Sequence, residues 1–387
     1  MTLPPQPDSF GQQPPHGGPT GAGAPGSWPQ HSGGPTPPPG PSPWGPQHQW
    51  ATPPPNDGGG GGKTKWILGG VAVVLAIALT AVVTVLVVRP DSEKGATEVS
   101  SSPKSEFVSA ADTGPVSIII DDPTCDAWNA IAGEYSRAVD AVHWEDRDFN
   151  IPASSWTSAQ RSMYDTVGKA MTRATDKTMN LAKQTPHRAM RELYEQFIAY
   201  TRAFVERISS YVAEDDNFVA ASNGAGGSVS NICGAIAYHS AQAIAPLVPA
   251  APEPKEDAKL TDAGEPEKFL LEQGAICTDW LALASKFSDE TRAWRETNKS
   301  VPATDWDPAQ KSINDAVAPI MSANADEMER LGQRSGNPVF EDIAELAAQY
   351  RRGFVASLPN YTAADSYLEL SATNLVRLIN WACQVPL

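Results

Sequence analysis

Residues Ile151-Pro152-Ala153-Ser154-Ser155-Trp156-Thr157-Ser158-Ala159-Gln160 are written again 150 positions later as Val301-Pro302-Ala303-Thr304-Asp305-Trp306-Asp307-Pro308-Ala309-Gln310. Without a gap, residues 152–233 match 302–383 at 20 of 82 positions. Tyr200-x-Arg202-x-Phe204-Val205 falls on Tyr350-x-Arg352-x-Phe354-Val355, and Cys233 falls on Cys383. Upstream the offset becomes 152, where Cys125-x-x-Trp128 lies on Cys277-x-x-Trp280. Six of the seven tryptophans after residue 120 therefore stand in three equivalent pairs. A duplication of this kind copies one structural unit, so both halves must build the same core.

That unit reads as helices. Met190, Tyr194, Phe197, Thr201, Phe204, Ile208 and Tyr211 step along the chain by fours and threes, an apolar stripe of helical period broken only by Thr201. Thr157-x-x-Gln160 is a capping-box pattern, and Asp307-Pro308-Ala309-Gln310 adds Pro at the first helical position. Pro186 and Gly336-Asn337-Pro338 stop the helix that follows. Asp215 and Asp365 precede the last helix of each half, where a carboxylate caps free N–H groups. Helices are predicted at about 124–143, 157–184, 188–212 and 216–244, and again at about 270–293, 307–333, 338–357 and 364–384. The expected fold is all-α: tandem up-and-down four-helix bundles over 120–245 and 269–387, joined by a Pro/Ala/Glu/Lys linker over 246–268.

The four cysteines fit this count. Cys125 opens the first helix of its half and Cys233 lies in the fourth; Cys277 and Cys383 repeat the arrangement. In an up-down-up-down bundle those helix ends meet, which predicts Cys125–Cys233 and Cys277–Cys383. The rival pairing joins Cys233 to Cys277 and Cys125 to Cys383. Zinc is disfavoured, because neither CxxC nor HxxxH spacing occurs.

Ahead of the repeats the composition changes twice. Residues 1–62 hold 18 Pro and 15 Gly, with Asp8 and Asp57 as the sole charges. So few apolar side chains do not offset the entropy of ordering, and a disordered tail is expected. Pro37-Pro38-Pro39 and Pro53-Pro54-Pro55 favour polyproline II, a docking ligand for aromatic grooves on a cytoplasmic partner. Trp66 to Val88 carries no charge over 23 residues. As a helix it is about 34 Å long, enough to cross a hydrocarbon core, so a transmembrane helix is expected at 66–88 and a flexible stalk at 89–119. Lysines and arginines flank the segment on both sides and do not orient it. Disulfides persist in oxidising compartments. That places the tail in the cytoplasm, the span in the inner cell membrane and the repeats outside it.

In overall plan (Pro/Gly-rich tail, span and outer domain) the chain resembles the single-span envelope proteins common in actinobacteria and mycobacteria. The resemblance implies an inner-membrane protein facing the cell envelope and transfers no functional residue. Tyr211-x-x-x-Asp215 and Tyr361-x-x-x-Asp365 also resemble the YxxxD/E signal of type VII secretion substrates. Those substrates carry a WxG turn and no anchor, whereas a Tyr closing one helix and an Asp capping the next account for the pattern here.

No catalytic signature stands out. GxSxG, HExxH and GxxxxGK[ST] are missing, and His143, His187 and His239 have no counterpart in the other half. With the cysteines paired, thiol chemistry is disfavoured. No cofactor and no metal are expected, and the chain is not expected to be an enzyme. Nucleic acid is an unsuitable partner, since the formal charge is −16; residues 120–387 alone carry 24 Lys+Arg against 38 Asp+Glu. Candidate binding or structural residues are those repeated in both halves: Tyr200 and Tyr350, Arg202 and Arg352, Asp165 and Asp315, Trp156 and Trp306. Asp176/Asp326 and Glu195/Glu345 recur too, and carboxylates facing solvent or holding Arg202 and Arg352 are the expected roles. Gly224, Gly226 and Gly227 interrupt the fourth helix of the first half only, implying either close helix approach or a kinked, mobile segment. The function expected is a single-pass envelope scaffold or sensor whose outer repeats bind a protein partner or ligand. The alternatives are an envelope enzyme with carboxylates in a bundle groove and a structural oligomerisation module.

Overall fold

The computed structural model describes residues 105–386 apart from 257, 259, 261 and 273. Among these residues are ten α-helices and no strand. The first repeat supplies α1 (Cys125–Asp140), α2 (Ser158–Gln184), α3 (Arg188–Arg207), α4 (Asp216–Ala237) and the short α5 (Ser240–Ile244). The second supplies α6 (Ala275–Glu290), α7 (Arg292–Arg295), α8 (Pro308–Arg334), α9 (Pro338–Ser357) and α10 (Ser366–Ala382).

Local chemistry sets these limits. Thr157 and Gln160 form the reciprocal capping box at the start of α2, and the Asp307 carboxylate accepts from Gln310 N at 2.7 Å at the start of α8. The expected helix over 216–244 is broken at His239, which adopts a left-handed φ of 63° between α4 and α5. Gly336 takes φ 64° after α8, a turn that a Cβ would strain. Tyr211 and Tyr361 close equivalent turns: their hydroxyls donate to Phe149 O at 2.7 Å and Lys299 O at 2.6 Å. Asp215 accepts from Val212 N, and Asp365 from Thr362 N. Both Tyr-x-x-x-Asp pairs thus serve as a helix stop and a cap.

In each repeat the long helices pack in a closed cycle, α1–α2–α3–α4 and α6–α8–α9–α10. The repeats themselves meet along α4 and α10, the most extensive helix pair. Here the glycines of α4 find their reason. A Cβ on Gly224 would lie 2.6 Å from Leu378 N and 2.7 Å from Leu378 Cα, and one on Gly234 would meet the Tyr367 ring. The helix runs unbroken from Asp216 to Ala237, so close approach replaces the kinked-segment expectation.

The segments ahead of the repeats are exchanged. Ile118, from before the first repeat, packs against Gly353 of α9 in the second. The Ile119 amide donates to the Tyr350 hydroxyl at 3.3 Å. Phe269, ahead of the first helix of the second repeat, donates its amide to Gln196 of α3 in the first, while Gln196 donates to Glu267 O. Part of the expected flexible stalk is therefore fixed structure: Phe107, Val116, Ile118 and Ile119 are buried, Ile118 and Ile119 against α9 and Phe107 over Arg191 of α3.

The tail over 1–62, the expected span over 66–88 and the stalk to residue 104 lie outside the described residues. Among those described, no helix is long and apolar enough to cross a membrane. The physical reason is their composition. The 27-residue α2 presents Arg161, Asp165, Lys169 and Arg173 along one side, and the 27-residue α8 presents Lys311, Asp315, Glu327 and Arg330. The described helices therefore do not support the expectation of a single-pass membrane protein, which rested on residues 66–88.

Candidate functional site

The residues repeated in both halves serve the fold. Cys125–Cys233 and Cys277–Cys383 are the disulfides, each within its own repeat. Trp156 donates to Ile151 O at 2.8 Å, and Trp306 donates to Val301 O at 2.9 Å. Tyr200 and Tyr350 are wholly buried; the first stands edge-on to Phe269 and the second holds Ile119. Arg352 bridges Asp326 at 2.8 Å and Glu329 at 2.7 Å. Arg202 reaches Asp176 at 4.0 Å and donates to Gly264 O in the strap between repeats. Asp165 and Asp315 do not join them. Both are exposed, and Asp315 pairs with Lys311 one turn away. Two small clefts are lined elsewhere, one by Glu134, Tyr135 and Lys177, the other by Asp112, His187 and Arg188.

A different group of side chains carries the electrostatic tension of the molecule. Arg188, at the start of α3, donates through Nε to Asp342 of α9 at 2.6 Å and through Nη2 at 3.0 Å, a bidentate pair that is almost fully buried between the repeats. Its Nη1 donates to Asp112 O and its backbone N–H to the Asp112 carboxylate. One turn on, Arg191 faces Glu192 at 3.2 Å and Glu195 at 3.3 Å, with Phe107 laid over its guanidinium. Glu341 and Glu345 continue the seam on α9, both buried, and the Gln333 side chain of α8 is the hydrogen-bonding group that acts on Glu345.

Two guanidinium groups against five buried carboxyls, with the half-buried Asp112 beside them, leave the seam short of positive charge, and burying unpaired charge is costly. The protein responds by holding protons. Burial and the neighbouring Asp342 raise Glu192 well above the usual carboxylate range. Burial pushes Glu195 up to about 7 against the opposing pull of Arg191. Burial, reinforced by Glu341 and Asp342, pushes Glu345 up to about 7. For Arg188 burial works the other way, yet the Asp342 bond outweighs it and the guanidinium stays charged. No group of three or more His, Cys, Asp or Glu among the described residues is placed to hold a metal.

Sequence reasoning found Glu195 and Glu345 as a recurring pair and missed the rest. The stretch Arg188-Ala189-Met190-Arg191-Glu192-Leu193 reads as an amphipathic surface helix with its charges in water. The exchanged straps cover that polar face, and their role is visible only in three dimensions. The one available signal was the match of Glu192 to Asp342 at the same offset as Glu195 to Glu345.

The chain matches the family described as Mycobacterial ESX-1 associated protein over residues 107–386, nearly the whole helical unit. It belongs to that family. It is also 42% identical over 327 residues to an uncharacterized protein of Mycolicibacterium smegmatis strain MKD8, covering 84% of this chain and 86% of the relative. No solved structure matches. What the family match shows is an ESX-1 association, and no described helix is long and apolar enough to cross a membrane, so the expected single-pass envelope sensor and its inner-membrane placement are not supported.

Proposed function

We propose that the helical unit of this ESX-1 associated family member is a non-catalytic binding platform for a component of the ESX-1 secretion system. The observation that carries the reading is the family match, which begins at Phe107 where the first strap begins and ends one residue short of the terminus. Each repeat is read as an up-and-down four-helix bundle over 120–245 and 269–387, the two fused back to back through α4 and α10. In support, the preserved cysteines are committed to disulfides, and Trp156, Trp306, Tyr211 and Tyr361 to internal hydrogen bonds. What remains to meet a partner is the outer surface, whose net acidity favours a basic face on that partner. The Pro-rich tail over 1–62 is read as a second attachment through polyproline II segments.

Affinity purification of the full chain from a mycobacterium carrying ESX-1, set beside the same chain lacking residues 105–387, tests the platform. Enrichment of an ESX-1 component with the full chain alone supports it. Equal recovery with both versions, or recovery with neither, overturns it.

A further inference from the structure

The two repeats act as controls for each other, and at one end of the first repeat, where the α1–α2 loop meets the α3–α4 turn, the side chains depart from their counterparts in a single chemical direction. The backbone there is the same in both. Ala153 N donates to Tyr211 O at 2.9 Å and Ala303 N to Tyr361 O at 2.8 Å, while the Tyr211 and Tyr361 hydroxyls hold Phe149 O and Lys299 O. Positions 149 and 299 are therefore equivalent in space as well as in register. Their side chains are not. The Lys299 ammonium lies 3.4 Å from the centroid of the Trp294 ring and donates to Trp294 O. In the first repeat Arg147 takes over both contacts, 3.8 Å from the Trp144 centroid and donating to Trp144 O at 3.1 Å. The place over the indole is thus filled, and Phe149 is left 48% exposed. Position 212 changes in the same sense. Thr362 donates its hydroxyl to the Asp365 carboxylate at 3.0 Å as part of a helix cap. Val212 has the same branched shape without the hydroxyl, and it is 45% exposed. Two side chains with a local task in the second repeat are exposed hydrocarbon in the first.

Charge follows the same division. Arg147 pairs with Asp216 and Arg207 with Asp215, so those two carboxylates serve the fold. Glu145, Asp146, Asp148 and Glu214 are exposed on the same two segments, with His143 at 3.7 Å from Asp146. Their matches in the second repeat are Arg295, Glu296, Asn298 and Ala364. Four negative charges in the first repeat thus stand against a set that cancels in the second. Local structure does not require them. Asp148 accepts from Asn150 N at 2.9 Å, and Asn298 makes the equivalent turn bond to Ser300 N without a charge.

From this geometry we infer that this end of the first repeat, built on Phe149 and Val212 with Glu145, Asp146, Asp148 and Glu214, is the docking surface for a protein segment that carries an apolar side chain flanked by lysine or arginine. Exposed hydrocarbon supplies contact area that gains from leaving water, and an aromatic ring is the side chain best suited to anchor it. The carboxylates select the partner by charge: they attract a basic segment and raise its rate of encounter. The same charge repels anionic lipid headgroups, nucleic acid and the identical end of a second copy. The inference rests on the platform reading for the existence of a protein partner; what it adds is where that partner sits and what chemistry it presents.

The test uses the full chain and, as the probe, a short fluorescent peptide in which leucines lie among lysines, followed by anisotropy. Saturable binding is expected, weakened by added sodium chloride. Phe149→Ser/Val212→Thr removes the hydrocarbon without changing charge, and Asp148→Asn/Glu214→Ala installs the second repeat's residues on the same backbone. Each is expected to weaken binding by at least about tenfold. Asp126→Asn/Glu256→Gln, which removes equal charge from exposed positions on other elements, leaves the affinity unchanged. Equal affinity in the wild type and both end variants overturns the docking surface. So does a peptide with serine in place of leucine that binds as well as the original, because that is attraction to net charge alone. Should a double variant fail to fold, Phe149→Ser and Glu214→Ala singly carry the comparison. In the affinity purification described above, an ESX-1 component recovered equally by the wild type and both end variants overturns the docking surface and leaves the platform standing. Peptide binding at this end with no ESX-1 component recovered overturns the platform alone. Concentration-dependent dimers in sedimentation, abolished by both variants, would make a second copy the occupant and overturn the assignment to a basic partner.

Discussion

At the scale of single residues, the telling contrast is between Glu345 and its surroundings. A carboxyl that is 0% exposed and faces Glu341, Asp342 and Glu329 is tolerated only while it keeps its proton. Its folded value of about 7 exceeds the ordinary 4.5, so the folded chain binds a proton that the unfolded chain has released across that window. Stability supplied by the proton is complete below about pH 4.5, falls as the pH rises towards 7 and is gone above it. Glu345→Gln, which keeps the shape and removes the ionisation, should therefore melt higher than wild type at pH 8. The gap should narrow as the pH is lowered to 5. Melting curves of both proteins across that range decide the matter, and a gap independent of pH would mean that Glu345 does not titrate in this window. Arg188 presents the opposite case. Arg188→Met leaves Asp342 buried without its partner, and losses for such half-removed pairs run to about 3–5 kcal/mol. Urea denaturation should show that loss, with much of it recovered in Arg188→Met/Asp342→Leu. Arg188 was not legible as special in the sequence, and Glu345 only as one of a recurring pair, because a buried charge and a solvated one are spelled alike. The caps were legible, since Thr157-x-x-Gln160 and Tyr211-x-x-x-Asp215 act on their own neighbours.

At the scale of elements, sequence periodicity places the long helices to within a few residues, because an apolar stripe and its stop signals are local properties. Their neighbours are not local, and glycine shows the difference. Removing a mid-helix glycine normally stabilises by about 1 kcal/mol relative to Ala. Gly133 in α1 has room, with the Arg137 guanidinium as its nearest neighbour at 3.6 Å, so Gly133→Ala should stabilise by about that amount. At Gly224 the added methyl would press on the Leu378 backbone, which has no rotamer to yield. Gly224→Ala should instead destabilise by about 1–3 kcal/mol, as overpacking does. Opposite signs for the same substitution, measured in one chain by chemical denaturation, separate close approach from simple flexibility. If both variants gain stability, α4 and α10 are not in contact at that level. The straps escaped the sequence for a related reason. Ile118 and Ile119 carry no periodicity of their own, and they are buried against α9, with Tyr350 standing 231 residues from Ile119.

At the scale of the whole molecule, duplication and exchange together make one cooperative object from two copies. Each disulfide spans its own repeat, with separations of 108 and 106 residues. In the chain-entropy account, closing a loop of that length stabilises by about 4–5 kcal/mol. Were the repeats independent, opening Cys277–Cys383 would weaken the second repeat alone and split unfolding into two steps. The packing argues otherwise, because α4 lies on α10 along their length, the straps cross between repeats, and Arg188 reaches Asp342 through the seam. The double variant Cys277→Ser/Cys383→Ser should therefore lower the melting temperature of a single calorimetric transition that still includes the first repeat. Its calorimetric and van't Hoff enthalpies should agree, the mark of two-state unfolding. Two resolved transitions, with the upper one at the wild-type temperature, would show that the repeats fold separately and that the seam adds nothing to their coupling.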